Sequence, residues 1–118
     1  MVVSVIVTTK NEERHIGSCL ESVKKQTYPQ ESIEIIVVDN NSSDKTKEIA
    51  LGYTDKVYNR GPERSAQRNF GVQQAAGKYI LYLDSDMTLS PEVIKECVDK
   101  CESGGYIALY IPERIIGE

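Results

Sequence analysis

The chain has 118 residues, 40% of them hydrophobic and 27% charged, the balance of one soluble globular domain and not of a disordered, collagenous or membrane-spanning chain. A chain of this size buries roughly two thirds of its unfolded surface, so its core needs neither disulfides nor a structural metal. The formal net charge of -4, from 18 acidic and 14 basic residues, opposes a polyphosphate partner that needs a broad basic face, and nucleic acid is excluded as an expected ligand.

No run of about 18 apolar residues is present, and Met1 to Val7 lacks the basic start and small-residue cleavage site of a signal peptide, so a cytoplasmic protein without a span is expected. Cys19, Cys97 and Cys101 are an odd number and fall on apolar helical stripes, which predicts reduced, packed thiols. Cys97 and Cys101 are four apart, but no His or further Cys lies nearby in sequence to complete a tetrahedral metal site.

In chain order, five apolar, β-branched runs alternate with helical patterns: Val2 to Val7, Ile33 to Val38, Lys56 to Tyr58, Tyr79 to Leu83 and Tyr106 to Ile111. The order βαβαβαβαβ predicts an α/β fold with a parallel-rich open sheet, right-handed crossovers and helices on both faces. The second and fourth runs are nearly continuous in Ile, Val, Leu and Tyr, as central strands require, and the short third reads as an edge.

Asn11 is the predicted N-cap of the first helix, with Ile16, Cys19, Leu20 and Val23 as its buried stripe. Ser42-Ser43-Asp44 caps the second, Glu63 to Ala76 forms the third up to Gly77, and Ser90-Pro91-Glu92 opens the fourth. In the fourth, Val93, Ile94, Cys97, Val98 and Cys101 make the buried face and Gly104-Gly105 the stop.

Ligands of open α/β sheets bind beyond the carboxyl ends of the strands. Three polar clusters stand there: Thr8-Thr9-Lys10-Asn11-Glu12-Glu13, Asp39-Asn40-Asn41-Ser42-Ser43-Asp44 and Asp84-Ser85-Asp86. Asp39 can accept hydrogen bonds from a ribose or base N–H, or can start an Asx turn. Asp84 and Asp86 bring two anions to one spot, an arrangement suited to Mg²⁺ or Mn²⁺ with a diphosphate completing the shell, or to a solvated acidic turn. Arg60, Arg64 and Arg68 gather around the third helix, where they can meet a phosphate or the aspartates, or form a surface network with Glu63. His15, the one histidine, is read as a surface residue.

Val3 to Glu13, Ile36 to Asp44, and Arg68-Asn69-Phe70-Gly71 followed by Gly77 to Asp86 resemble family 2 glycosyltransferases of the Rossmann-like GT-A fold, across essentially the whole chain. The resemblance implies transfer of a sugar from a nucleotide-diphosphate-sugar, of UDP or GDP type, to an acceptor hydroxyl, with inversion. By it, Thr8, Thr9 and Glu13 line the nucleoside pocket and Asp39 holds the uracil or ribose. Asp84 and Asp86 form the DxD motif around Ser85, with Asp86 on Mn²⁺ or Mg²⁺. Arg68 lies near the donor, and the turn at Gly61 shapes the pocket. Family members often carry Pro and Tyr where this chain has Thr8-Thr9-Lys10. The family's carboxylate base lies well downstream of DxD, so no catalytic base is expected within these 118 residues, which read as the donor-binding portion of a longer enzyme whose remainder would reach the inner membrane face.

Two other patterns are present in the sequence. Asp84-Ser85-Asp86-Met87-Thr88 after an apolar strand also resembles the nucleophile motif of haloacid-dehalogenase-like phosphatases, with Asp84 attacking phosphorus, although that family places this strand first. A non-enzymatic receiver-like module suits the length but requires an acidic pair after strand one and a Lys after strand five, and this chain has Thr8-Thr9-Lys10 and Pro112-Glu113-Arg114.

Overall fold

The computed structural model describes residues 1–104 and 114–115. Four strands form one parallel sheet in the order β3-β2-β1-β4: β1 (Val3–Thr9), β2 (Ile33–Asp39), β3 (Val57–Asn59) and β4 (Tyr79–Asp84). A separate antiparallel pair joins β5 (Met87–Thr88) to β6 (Arg114–Ile115). The helices are α1 (Ile16–Lys24), α2 (Thr46–Leu51), α3 (Arg64–Gln74) and α4 (Val93–Gly104), with a 3-10 turn at Gln30–Ser32.

The sheet is covered on both faces. Val3, Val5 and Val7 of β1 join Ile35 and Val37 of β2 in a cluster with Ile16, Leu20, Val23, Ile94 and Val98, which places α1 and α4 on one side. Ile6, Ile36 and Val38 point the other way, toward Phe70 of α3 and Tyr58. β1 and β2 are buried along their whole length because neighbouring strands and both helical layers exclude water from them. Full burial of each Val, Ile or Leu side chain contributes roughly 1.5–3 kcal/mol, which makes these two strands the main source of stability.

The structure departs from the sequence reading at several places. β4 was expected in the centre of the sheet; it is the outer strand of the four, Tyr82 is 40% exposed, and the buried central partner of β2 is β1. An apolar run shows that a strand is desired by the core but not which neighbours flank it. Asn11 does not cap α1. It adopts a left-handed backbone (φ 51°) and its side-chain oxygen accepts the Ser43 N–H at 2.8 Å, while α1 starts at Ile16 after a turn closed by Glu12. α3 ends at Gln74, before the predicted Ala76.

Other expectations hold. β3 is an edge, α4 follows Ser90-Pro91-Glu92, and Ile94, Val98 and Cys101 are buried. Two expectations are met only in part: Lys45 stands at the N-cap of α2 without a side-chain bond while Asp44 before it accepts the Thr46 N–H, and Val93 and Cys97 are half-buried. The three cysteines are free of disulfides. The predicted strand at Tyr106 to Ile111 lies outside the described residues. No helix among the described residues is long and apolar enough to cross a membrane.

Candidate active site

The strand register builds the site. Thr9 stands beside Asp39, and Thr8 beside Asp84, so the polar ends of β2, β1 and β4 lie side by side across adjacent strands. From β1 the chain adds β2 and β3 on one side and then returns to place β4 on the other. The reversal falls between β1 and β4, the switch point at which open α/β sheets bind ligands.

A cleft of about 260 Å³ opens there. Thr8 and Thr9 of β1 line it with Lys10 and Glu12 just beyond, Asn40 follows β2, Arg64 and Gln67 come from α3, and Asp84 ends β4 with Ser85 and Asp86 after it. The strands end here because each apolar run gives way to residues whose side chains bond locally. Thr8 donates to Asp84 Oδ1 at 3.5 Å, and the Cys19 thiol donates to the Asp84 carbonyl at 3.6 Å, holding the end of β4 against α1.

Of the arginine alternatives, the structure selects the aspartate. Arg64 Nη1 lies 3.7 Å from Asp84 Oδ2 and Arg68 Nη2 lies 3.6 Å from Asp84 Oδ1, while Arg68 also stacks on Tyr82 at 5.0 Å. The helical spacing of four brings both guanidinium groups to one carboxylate. Asp86 lines the same cleft and forms no ion pair among the described residues, and Ser85 between them is buried.

The remaining predicted residues divide. Thr8 and Thr9 are buried in the cleft wall, and the Thr9 hydroxyl has no hydrogen-bond partner among the described residues. Asp39 is 2% exposed; its carboxylate accepts the Ser42 N–H at 2.9 Å and the Ser42 hydroxyl, so it orders its own loop, and its neighbour Asn40 lines the cleft. Glu13 is exposed and accepts the Lys45 N–H at 3.4 Å, and its neighbour Glu12 takes the place in the cleft. His15 bonds Glu12 Oε2 at 3.1 Å.

Loops meet closely beside the cleft. Asn40 Nδ2 donates to the Pro62 carbonyl at 2.7 Å, and a Cβ on Gly61 would lie 2.3 Å from Asn40 Oδ1, so the Asn40 amide can keep this place only beside a glycine. Sequence reasoning missed Gln67, a buried residue of α3 whose amide donates to the Thr9 carbonyl at 3.1 Å and the Val38 carbonyl at 2.7 Å. Its only signal was a polar residue one turn into an otherwise amphipathic helix.

Toward a divalent cation the cleft offers hard donors: the carboxylates of Asp84 and Asp86 and the hydroxyls of Thr8 and Ser85. Among the described residues no group of three or more His, Cys, Asp and Glu converges, so the protein's share of a coordination shell here is two carboxylates. That donor set fits Mg²⁺ or Mn²⁺ shared with an anionic ligand and does not fit a closed structural site.

The fold is that of the GT-A glycosyltransferases. Residues 4–118 match the family described as glycosyl transferase family 2, and the chain belongs to that family. Glycosyltransferase AglE of Haloferax volcanii is 40% identical over 91 residues, 71% of this chain and 30% of AglE. The crystal structure of Staphylococcus aureus TarS (residues 1–349) with UDP-GlcNAc superposes with a TM-score of 0.78 at 34% identity, covering 86% of this chain and 31% of that one. The mannosyltransferase PcManGT of Pyrobaculum calidifontis, in complex with GDP-Man and Mn²⁺, has the same fold at 24% identity, with a TM-score of 0.76 and coverage of 84% and 32%. The chain thus spans about a third of the length of these relatives. The phosphatase and receiver resemblances find no support in these matches.

Proposed function

We propose that this chain is the donor-binding portion of a glycosyltransferase and holds a nucleotide-diphosphate-sugar for transfer to an acceptor hydroxyl with inversion at the anomeric carbon. The observation that carries the reading is the convergence of Asp84, Ser85, Asp86 and Arg64 on one cleft at the reversal between β1 and β4. The UDP-GlcNAc held by the related TarS structure supports it.

In the transfer, the acceptor oxygen bonds to the anomeric carbon as the bond from that carbon to the diphosphate oxygen breaks. The electron pair leaves with the diphosphate and the hydroxyl proton passes to a base. No residue of this chain is assigned as that base. Asp86, with Asp84 beside it, would hold Mn²⁺ or Mg²⁺, which supplies positive charge to the departing diphosphate. Arg64 and Arg68 stand at Asp84 with guanidinium groups suited to phosphate oxygens. Thr8, Thr9, Ser85 and Glu12 line the donor cleft, while Asp39 and Glu13 shape its rim through the loops they order.

Titration calorimetry with UDP and GDP, each with and without Mn²⁺, tests the reading. Metal-dependent binding of one nucleotide is expected. Asp86→Ala should abolish the metal-dependent part, and Asp39→Ala should weaken binding with or without metal. Binding unaffected by both substitutions would overturn the site assignment.

A further inference from the structure

We infer that Gln67 is a specificity-determining residue for the donor nucleoside, presenting one fixed carbonyl oxygen that accepts a hydrogen bond from a ribose hydroxyl or a base N–H. The inference rests on the donor-binding reading above and adds to it a contact that the DxD residues do not supply.

Gln67 is 5% exposed, and both hydrogens of its side-chain amide are spent. Nε2 donates to the carbonyls of Thr9 and Val38, which belong to adjacent strands, β1 and β2. The parallel ladder runs out at this level, since Thr9 is opposite Asp39 and the Thr9 carbonyl takes the Asn40 N–H at 2.9 Å. Gln67 therefore adds a side-chain hydrogen bond to the Thr9 carbonyl at the end of the ladder and ties it to the Val38 carbonyl of the next strand. The two carbonyls also fix which end of the amide faces them. A flip would set Oε1 against two acceptors and lose both hydrogen bonds in a buried place.

With Nε2 turned to the floor, Oε1 is the end of the side chain left for the cleft that Gln67 lines. Among the described residues no protein donor reaches it, and it is not shut away from solvent as the Thr9 hydroxyl is. A pinned amide oxygen can only accept. It favours an O–H or N–H and repels a carbonyl or phosphate oxygen, so the diphosphate is excluded as its partner. Gln67 stands on the β1–β2 side of the cleft, and Asp84 and Asp86 stand on the β4 side. A nucleotide with its diphosphate toward the aspartates brings its nucleoside to Gln67.

The experiment compares UDP with 2′-deoxy-UDP, 3′-deoxy-UDP and N3-methyl-UDP in the presence of Mn²⁺, or GDP with its 2′-deoxy, 3′-deoxy and N1-methyl analogues where GDP is the nucleotide bound. On the native chain, the analogue lacking the group that Gln67 accepts should bind roughly tenfold more weakly than its parent, the size of one hydrogen bond. On Gln67→Met, parent and that analogue should bind equally. A penalty that is the same in both proteins, or no penalty with any analogue, overturns the inference and leaves donor binding standing. Failure of the folded native chain to bind any nucleotide overturns both. Because Gln67→Met removes two buried hydrogen bonds, the native protein provides a second readout. The Gln67 side-chain amide resonance should be protected from exchange and should shift on adding the parent nucleotide but not the responsible analogue; a resonance that never moves overturns the inference.

Discussion

At the scale of single residues, the structure turns on close approaches that fix where polar groups can sit. A Cβ on Gly61 would meet the flexible end of Asn40, whereas one on Gly77 would meet the Ser4 backbone nitrogen at 2.7 Å and the Val3 carbonyl carbon at 2.9 Å. The Asn40 amide can swing aside at the loss of its bond to Pro62, but the β1 backbone cannot yield without breaking its ladder. Gly77→Ala is therefore expected to lower stability by about 2–3 kcal/mol and Gly61→Ala by about 1 kcal/mol, read as shifts in urea midpoint at constant slope. Only Gly61→Ala should weaken nucleotide binding more than its stability loss explains. The turn at Gly61 was legible through the family resemblance. The demand at Gly77 was not, because it arises from a strand more than seventy residues away.

Among elements, the amino ends of the strands are joined by a polar network opposite the cleft. Glu34, the second residue of β2, has a side chain 3% exposed; Ser4 of β1, Lys56 before β3 and the Ala76 N–H before β4 all donate to its carboxylate. Burial pushes this carboxyl up, but the hydrogen bonds from Lys56, Ser4 and Ala76 together outweigh it and hold it below the usual carboxylate range. A depressed folded value means that the charged form stabilises the protein. Its contribution is complete above the unfolded value near 4.5 and is lost as pH falls through the lower folded value. Denaturation midpoints taken from pH 6 to pH 3 should fall in acid, and Glu34→Gln should flatten that fall and cost about 1–3 kcal/mol near neutrality. Lys56→Met, which leaves the carboxylate without its half-exposed cation, should cost about 1–2 kcal/mol.

The fourth helix gives a chemical test of packing. Burial, with a smaller contribution from Cys101, pushes the Cys97 thiol up, and Cys19 and Cys101 are enclosed. A thiol held protonated is a poor nucleophile. Labelling with a disulfide reagent at pH 7 should therefore be slow for all three in the folded protein and fast in urea; immediate labelling of Cys97 would contradict its place on the packed face.

At the scale of the whole molecule, the cleft belongs to no single element. β1, β2, β4 and α3 each contribute to it, so a ligand that joins them should stabilise the fold as a unit. A nucleotide with Mn²⁺ at a hundredfold its dissociation constant should add about 2.7 kcal/mol, which for a chain of this size is a rise in Tm of about 10 °C. Chelation of the metal, or Asp86→Ala, should remove the metal-dependent part of that rise, and a rise unaffected by either would place the cation elsewhere.

The division between what the chain's sequence determined and what the folded structure decided follows the range of the forces involved. Strand and helix identity came from local periodicity: the continuous Val and Ile of β1 and β2 and the stripe Ile16, Cys19, Leu20 and Val23 fold as their patterns dictate. The positions of Asp84 and Asp86 were legible because a strand's end is itself a local event. Strand order was not, since an apolar run is stabilised by burial whatever its neighbour, and β4, expected in the centre, is the outer strand of the four beside β1. Nor were the roles of Asn11, Glu34 and Gln67, each of which is set by a hydrogen-bond partner supplied from another element. Register alone set Thr8 beside Asp84 and Thr9 beside Asp39, and with that made one cleft of three separate motifs.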